Sequence, residues 1–181
     1  MKKQLSQSIE IPEGINCHFA NQTLTCKKDS LELSRKISSD NLEIKIKDSK
    51  ILIECKKGNK NDHKNIMTTL AHIKNIFRGL TEEFTYTLEI ANIHFPMTAK
   101  IDGDKIFINN FLGEKTPRQA KILPDVKVEI KGHQIKVSSH NRESAGQTAA
   151  NLEQATKIGN RDRRIFQDGI FITEKPRRHE Q

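Results

Sequence analysis

Two stretches of the chain alternate apolar and charged residues with a period of two. Leu42-Glu-Ile-Lys-Ile-Lys runs into a turn at Asp48-Ser49, and Lys50-Ile-Leu-Ile-Glu returns from it. This is the pattern of two half-buried strands in a hairpin. Val126-Lys-Val-Glu-Ile and Gln134-Ile-Lys-Val repeat it around Lys131-Gly132-His133. Elsewhere the spacing becomes helical. Ile66, Leu70, Ile73 and Phe77 share one face and predict a helix from about Asp62 to Phe77, closed by Arg78-Gly79. A second helix, rich in small residues, carries Ala149, Ala150, Leu152, Ala155 and Ile158. Ser144 and Gln147 have the spacing of a capping box at its start, and Gly159-Asn160 reads as a left-handed cap pair at its end. One more strand is predicted after each helix, Phe84 to Ile90 and Ile170 to Thr173, and a less regular β region before each hairpin, Ile9 to Lys36 and Ile93 to Ile122.

The two halves match. Ile9, Ile11 and Pro12 correspond to Ile93, Phe95 and Pro96. Leu42, Ile44 and Ile46 correspond to Val126, Val128 and Ile130, and Ile51 and Ile53 to Ile135 and Val137, all at an offset of 84. A constant offset across separated segments points to an internal duplication. The expected fold class is α+β: two tandem duplicated units, each a small, mostly antiparallel β structure packed on one α-helix. The boundary falls between about Glu82 and Asn92, giving a first repeat unit at 1–86, a second at 87–174 and a basic C-terminal tail at 175–181.

Composition narrows the partner. The formal charge is +8, with 34% hydrophobic and 5% aromatic residues, and the pI is about 9.4. Such a balance suggests a polyanion, chiefly nucleic acid. No apolar stretch is long enough to span a bilayer, and Met1–Gly14 has no apolar core of signal-peptide length. A cytoplasmic protein without a membrane partner is therefore expected. Cys17, Cys26 and Cys55 form no CxxC pair, so they read as free thiols and no metal or other cofactor is implied. His18, His63, His72, His94, His133 and His140 are scattered or flank turns. No HExxH, nucleophile elbow or phosphate loop is present, so neither an enzyme nor a small-molecule substrate is expected.

Residues 1–92 carry 15 basic and 12 acidic side chains, and residues 93–181 carry 16 and 11. The second half also concentrates arginine, the residue best shaped to fork onto phosphate. Arg161, Arg163 and Arg164 follow the helix end, and Arg177 and Arg178 lie in the tail. Lys115 and Arg118 beside the Asn109–Gly113 loop, Arg142 before the second helix, and Lys157 complete a candidate RNA-binding set. The alternative is a solvated charged loop with ordinary cap chemistry. If the bend is one helical turn, Arg161 and Arg164 face the same way, and Arg163 points elsewhere, contributing less or pairing with Asp162 or Asp168. Most phenylalanines, including Phe166 and Phe171, should be core rings, with Phe111 the one candidate for exposure. Few exposed rings favour folded RNA, bound by backbone and shape, over single strands read by stacking.

Gln154, Ile158, Arg161, Arg164, Phe166, Asp168-Gly169-Ile170-Phe171-Ile172 and Lys175 stand at the spacings of a known C-terminal signature. They resemble the L-six family of large-subunit ribosomal proteins in its archaeal and eukaryotic form (L-nine in the older eukaryotic naming). Ile9–Gly14, Arg78–Thr81, Phe84-Thr85-Tyr86 and His94-Phe95-Pro96 extend the resemblance over nearly the whole chain. It implies a structural constituent of the large ribosomal subunit that binds large-subunit rRNA near the sarcin–ricin loop and the base of the lateral stalk. Neighbouring ribosomal proteins there would be further partners. Within the signature, Arg161, Arg164 and Lys175 are the implied RNA contacts, while Phe166, Asp168 and Gly169 read as a core ring and a turn. A free RNA-binding regulator or ribosome assembly factor of the same fold is the alternative. Chain length favours an archaeal over a eukaryotic member.

Overall fold

The structure is a computed structural model that describes residues 3–37, 41–47, 49–162 and 164–176. The chain divides into two compact units, Met1–Glu82 and Glu83–Gln181.

The first unit contains β1 (Lys3–Glu10), β2 (Asn16–Ala20), β3 (Thr23–Lys28), β4 (Leu31–Lys36), β5 (Glu43–Lys47), β6 (Lys50–Gly58) and α1 (Lys60–Gly79). One antiparallel sheet has the order β1-β6-β5 and another β2-β3-β4. The predicted hairpin is β5–β6, with Ile44 opposite Ile53 and Ile46 opposite Ile51. Ile51 and Ile53 are fully buried. They share a core with Leu24, Cys26, Ile66 and Ile73. α1 begins ahead of its apolar stripe because Asn59 caps it. The Asn59 side chain accepts the N–H groups of Asn61 and Asp62, and the Asp62 carboxylate accepts the Asn59 N–H. This reciprocal box satisfies donors that the helix cannot pair internally. Arg78 and Gly79 lie inside the helix, which Leu80 caps.

The second unit contains β7 (Phe84–Ala91), β8 (Thr98–Asp102), β9 (Lys105–Asn109), β10 (Arg118–Lys121), β11 (Lys127–Lys131), β12 (Gln134–Ser139), α2 (Arg142–Ala155) and β13 (Gly169–Glu174). Its sheets have the orders β11-β12-β7-β13 and β10-β9-β8, every pair antiparallel. The strand expected to finish the first unit is therefore a central strand of the second. β7 lies between β12 and β13, and Phe84, Tyr86, Thr87, Leu88 and Ile90 are all buried. Adjacency in sequence to α1 suggested the other assignment. Pairing on both edges overrides it.

This reassignment changes the phase of the duplication. β1 pairs with β6 as β7 pairs with β12, and β2-β3-β4 corresponds to β8-β9-β10. The offset of 84 holds in the hairpins: the Ile44–Ile53 pair matches the Val128–Val137 pair. It fails at the start. Ile9 stands opposite Ile51, and Leu88 stands opposite Ile135, so the counterpart of Ile9 is Leu88 rather than Ile93. Ile93 lies beyond β7 and is 67% exposed. Among the described residues the repeating unit is six strands followed by a helix, and β13 is added after the second copy.

α2 differs from expectation at both ends. Asn141 is its N-cap, accepting the Glu143 N–H, so Ser144 sits inside the first turn. The last helical residue is Ala155, several positions before Gly159-Asn160. Of that pair only Asn160 is left-handed, at φ 58°. Ala145, Ala149 and Leu152 are buried on the sheet. At Gly146 the approach is closest, since a Cβ there would stand 2.9 Å from the Tyr86 hydroxyl. The small residues of α2 thus let the helix sit down onto β7.

Candidate nucleic-acid interface

The segment between α2 and β13 is held from three sides. Thr156 ends the helix: its hydroxyl lies 3.3 Å from the carbonyls of both Leu152 and Glu153 and accepts the Ile170 N–H at 2.9 Å. A buried hydroxyl that closes the helix and starts the next strand explains why α2 stops before its glycine. Arg118 is the second support. Its Nε and Nη2 fork onto the Glu114 carboxylate at 2.8 and 2.6 Å, and its Nη1 donates to the carbonyls of Ala155 and Lys157 at 2.9 and 3.2 Å. Its guanidinium lies 4.2 Å over the Phe111 ring. A cation on the terminal carbonyls of a helix also opposes the negative end of its dipole. The Arg118 fork holds the Glu114 carboxyl below its usual range, against the opposing effect of partial burial, and the Arg161 charge adds to the effect.

Asp168 is the third support. It is 1% exposed. One carboxylate oxygen accepts the Ile93 N–H at 3.0 Å and stands 3.1 Å from His94 Nδ1. The other accepts the His94 N–H at 3.2 Å. Burial alone would raise this carboxyl. The His94 ring and the two backbone donors outweigh it and hold the group below its ordinary value. Asp168 is therefore the anchor that ties the end of the bend to the segment after β7, rather than part of an open turn. Gly169, expected in that turn, opens β13.

On this base stands the bend itself. The Asp162 carbonyl accepts the N–H groups of Ile165 and Phe166 at 3.1 and 2.9 Å. The Asp162 carboxylate accepts the Arg164 N–H at 2.9 Å and receives the Arg164 guanidinium at 2.9 to 3.3 Å. Arg164 is thus a described partner of Asp162, and the expected pairing of Arg163 lies outside the described residues. The Arg164 side chain is 90% exposed, and such a surface pair contributes little to stability. Arg161 is turned differently: its guanidinium lies 4.9 Å over the Phe166 ring. That ring also meets the His94 ring, with centroids 5.2 Å apart. Phe166 is half-buried rather than a full core residue. Replacing it by Ala should cost about 1.5–2.5 kcal/mol, roughly half the value for a fully buried ring, read from denaturant melts.

The candidate set spreads over the unit. Arg118, Lys157, Arg161 and Arg164 gather at the C-terminal end of α2, with exposed Lys115 three residues before Arg118. Arg142, over the Phe84 ring at 5.8 Å, opens the same helix. At 1.5 Å per residue that places it about 21 Å from Thr156. Lys175 follows β13 and lies about 20 Å along that strand from Gly169. Arg163, Arg177 and Arg178 lie outside the described residues. Two aromatic expectations reverse. Phe111 is 1% exposed under Arg118, whereas Phe171 is 41% exposed. Phe171 and Ile93 line a groove of about 710 Å³ beside the bend, together with Ala91, Lys157, Ile158 and Phe166. Sequence reasoning passed over His94 and Thr156 as site residues. The run His94-Phe95-Pro96, already part of the family resemblance, was the available signal for the first.

Among the described residues no group of three or more His, Cys, Asp or Glu side chains could hold a metal ion, and no helix is long and apolar enough to cross a membrane.

A protein-family model described as Ribosomal protein L6 matches residues 95–169. The chain is 43% identical over 171 residues to the large ribosomal subunit protein uL6 of Methanobrevibacter smithii, covering 94% of this chain and 96% of the relative. It is 39% identical over 175 residues to the protein of that name from Methanosarcina mazei, covering 97% and 99%. A third, from Methanococcus vannielii, is 41% identical over 171 residues, covering 94% of each chain. Similarity of this extent includes both units and the bend, and the chain belongs to the ribosomal protein L6 family, as a structural, non-enzymatic protein of the large ribosomal subunit.

Proposed function

We propose that the second unit binds large-subunit rRNA through the surface around the Asp162–Phe166 bend, beside the sarcin–ricin loop and the base of the lateral stalk, among the neighbouring proteins of that region. One observation carries the assignment to this surface. The bend is fixed from below by a buried carboxylate and a buried hydroxyl, while Arg161 and Arg164 stand on it exposed. Pre-organised cations of this kind lose little freedom on meeting phosphate. Arg161 keeps its ring contact and offers the edge of its guanidinium. Arg164 exchanges the Asp162 carboxylate for a phosphate. Lys115 and Lys157 add point charges at the same end. Arg118 has the positioning role, because its donors are engaged within the unit. Arg142 and Lys175, at the far ends of α2 and β13, reach separate stretches of RNA.

Binding of the full chain to large-subunit rRNA should weaken steeply with salt, as counterions released on binding require. Arg161→Ala should cost on the order of 1–3 kcal/mol of affinity and lower the salt slope. Arg164→Ala should cost less, since the parent side chain must first leave Asp162. Filter binding over a salt series measures both. Parental affinity in both variants would remove the bend from the RNA surface. Co-sedimentation with the large subunit in high salt separates a resident subunit protein from a regulator that is stripped off.

A further inference from the structure

The first unit contains a pair of thiols that the ribosomal role leaves unused. Cys17 in β2 and Cys26 in β3 are direct cross-strand partners in the antiparallel ladder. Their sulfurs lie 2.8 Å apart, and both cysteines are free. Residues directly opposed in an antiparallel pair have Cα atoms about 4.5 or 5.5 Å apart. Both values fall within the roughly 4.4–6.8 Å that a disulfide spans. The two residues differ in access. Cys26 is fully buried, while Cys17 is partly exposed. Cys55 belongs to the same core and is buried at 2% exposure.

We propose that Cys17 and Cys26 form a thiol-oxidation site that closes to an intramolecular disulfide by exchange with a small-molecule disulfide. Cys17 is the attacking thiol, because it is the accessible one. The contact with Cys26 also favours its thiolate against the cost of burial, while that contact and burial both push the Cys26 thiol up. In the first step the Cys17 thiolate attacks one sulfur of the small disulfide, whose S–S bond breaks. One small thiolate leaves and takes up the Cys17 proton from solvent. A mixed disulfide remains on Cys17, which no longer carries a charge beside Cys26. In the second step Cys26 loses its proton to solvent and attacks the Cys17 sulfur, expelling the second small thiolate. Two cysteine thiols are oxidised and one small disulfide is reduced to two thiols. Burial of Cys26 directly behind Cys17 confines the second attack to this one partner.

The test uses the full chain equilibrated in mixtures of oxidised and reduced glutathione, quenched, denatured and alkylated. Both cysteines fall in one tryptic peptide, Gln4–Lys27, and Cys55 falls in another. As the oxidised fraction rises, Gln4–Lys27 should become resistant to alkylation and lighter by two hydrogens than its reduced form, while the Cys55 peptide still alkylates. Cys26→Ser should stop at a glutathione adduct on Cys17. The proposal is overturned if the parent accumulates that adduct without closing, or if Cys55 joins either cysteine. It is equally overturned if both thiols still alkylate at the oxidising extreme, or if oxidation yields only chain-to-chain dimers.

Discussion

A fragment of residues 83–181 should fold, and a fragment of residues 93–181 should not. The two differ by β7 and little else. β7 is hydrogen-bonded to β12 on one edge and to β13 on the other. Without it the two strands lose their common partner, and the backbone groups facing the gap lose theirs. Phe84, Tyr86, Leu88 and Ile90 leave the core with it. At about 1.5–3 kcal/mol for each buried side chain of this size, the four account for roughly 6–12 kcal/mol. That is as large as the entire stability of a typical domain, about 5–15 kcal/mol. Circular dichroism and a denaturant melt distinguish the outcomes: a cooperative transition for the longer fragment, none for the shorter. A folded 93–181 fragment would mean that β7 is dispensable to the second sheet.

Asp168→Ala should be the most damaging single change at the bend. It removes the acceptor of the Ile93 and His94 N–H groups, whose bonds to it are partly buried, and a hydrogen bond to a charged group contributes about 1.5–3 kcal/mol. The expected loss is on the order of 2–5 kcal/mol, with Asp168→Asn between this and the parent because its amide oxygen can keep one acceptor role. The native carboxyl is held below its ordinary value. Its contribution is therefore complete above the unfolded value, near pH 4, and is lost as the pH falls through the depressed folded value. Asp168→Asn should flatten that acid limb of the stability profile. The Glu114–Arg118 fork should leave part of it, since Glu114 is also held low. An unchanged acid limb in Asp168→Asn would show that the carboxylate charge contributes nothing there. In rRNA binding, Asp168→Ala should resemble Arg161→Ala although Asp168 carries no positive charge, because the bend would lose its anchor.

Local physics was legible in the sequence; long-range choices were not. The hairpins β5–β6 and β11–β12 follow from alternation, because a strand with one wet face must alternate. α1 follows from Ile66, Leu70, Ile73 and Phe77, all buried. β7 was also visible as a strand, but its partners are chosen across the fold, and alternation says nothing about which sheet receives a strand. The end of α2 was misplaced because Gly159-Asn160 is a strong local stop, whereas Thr156 stops the helix earlier through a bond to Ile170 that sequence spacing cannot show. The arginines at the bend stand out by composition. The geometry beneath them depends on Asp168 meeting a segment 74 residues away, and an acidic residue before glycine looks like an ordinary turn. The burial of Phe111 and exposure of Phe171 follow from Arg118 covering one ring and the groove leaving the other open, which hydrophobicity alone does not encode.

The shifted phase of the duplication also bears on the order in which the chain can fold. In the first unit β1 and β6 pair at Ile9 and Ile51, 42 positions apart, and the helix that covers them ends at Gly79. In the second unit β7 and β13 pair at Ile90 and Ile170, 80 positions apart. Closing a longer loop costs more entropy before any contact rewards it, and such pairings form late. A chain emerging from its N-terminus can therefore complete the first unit while the second still lacks its final strand. Until β13 arrives, β7 has one open edge, and the groove lacks the wall that Phe171 supplies. The surface proposed for RNA is thus completed only after the core of the second unit has begun to form.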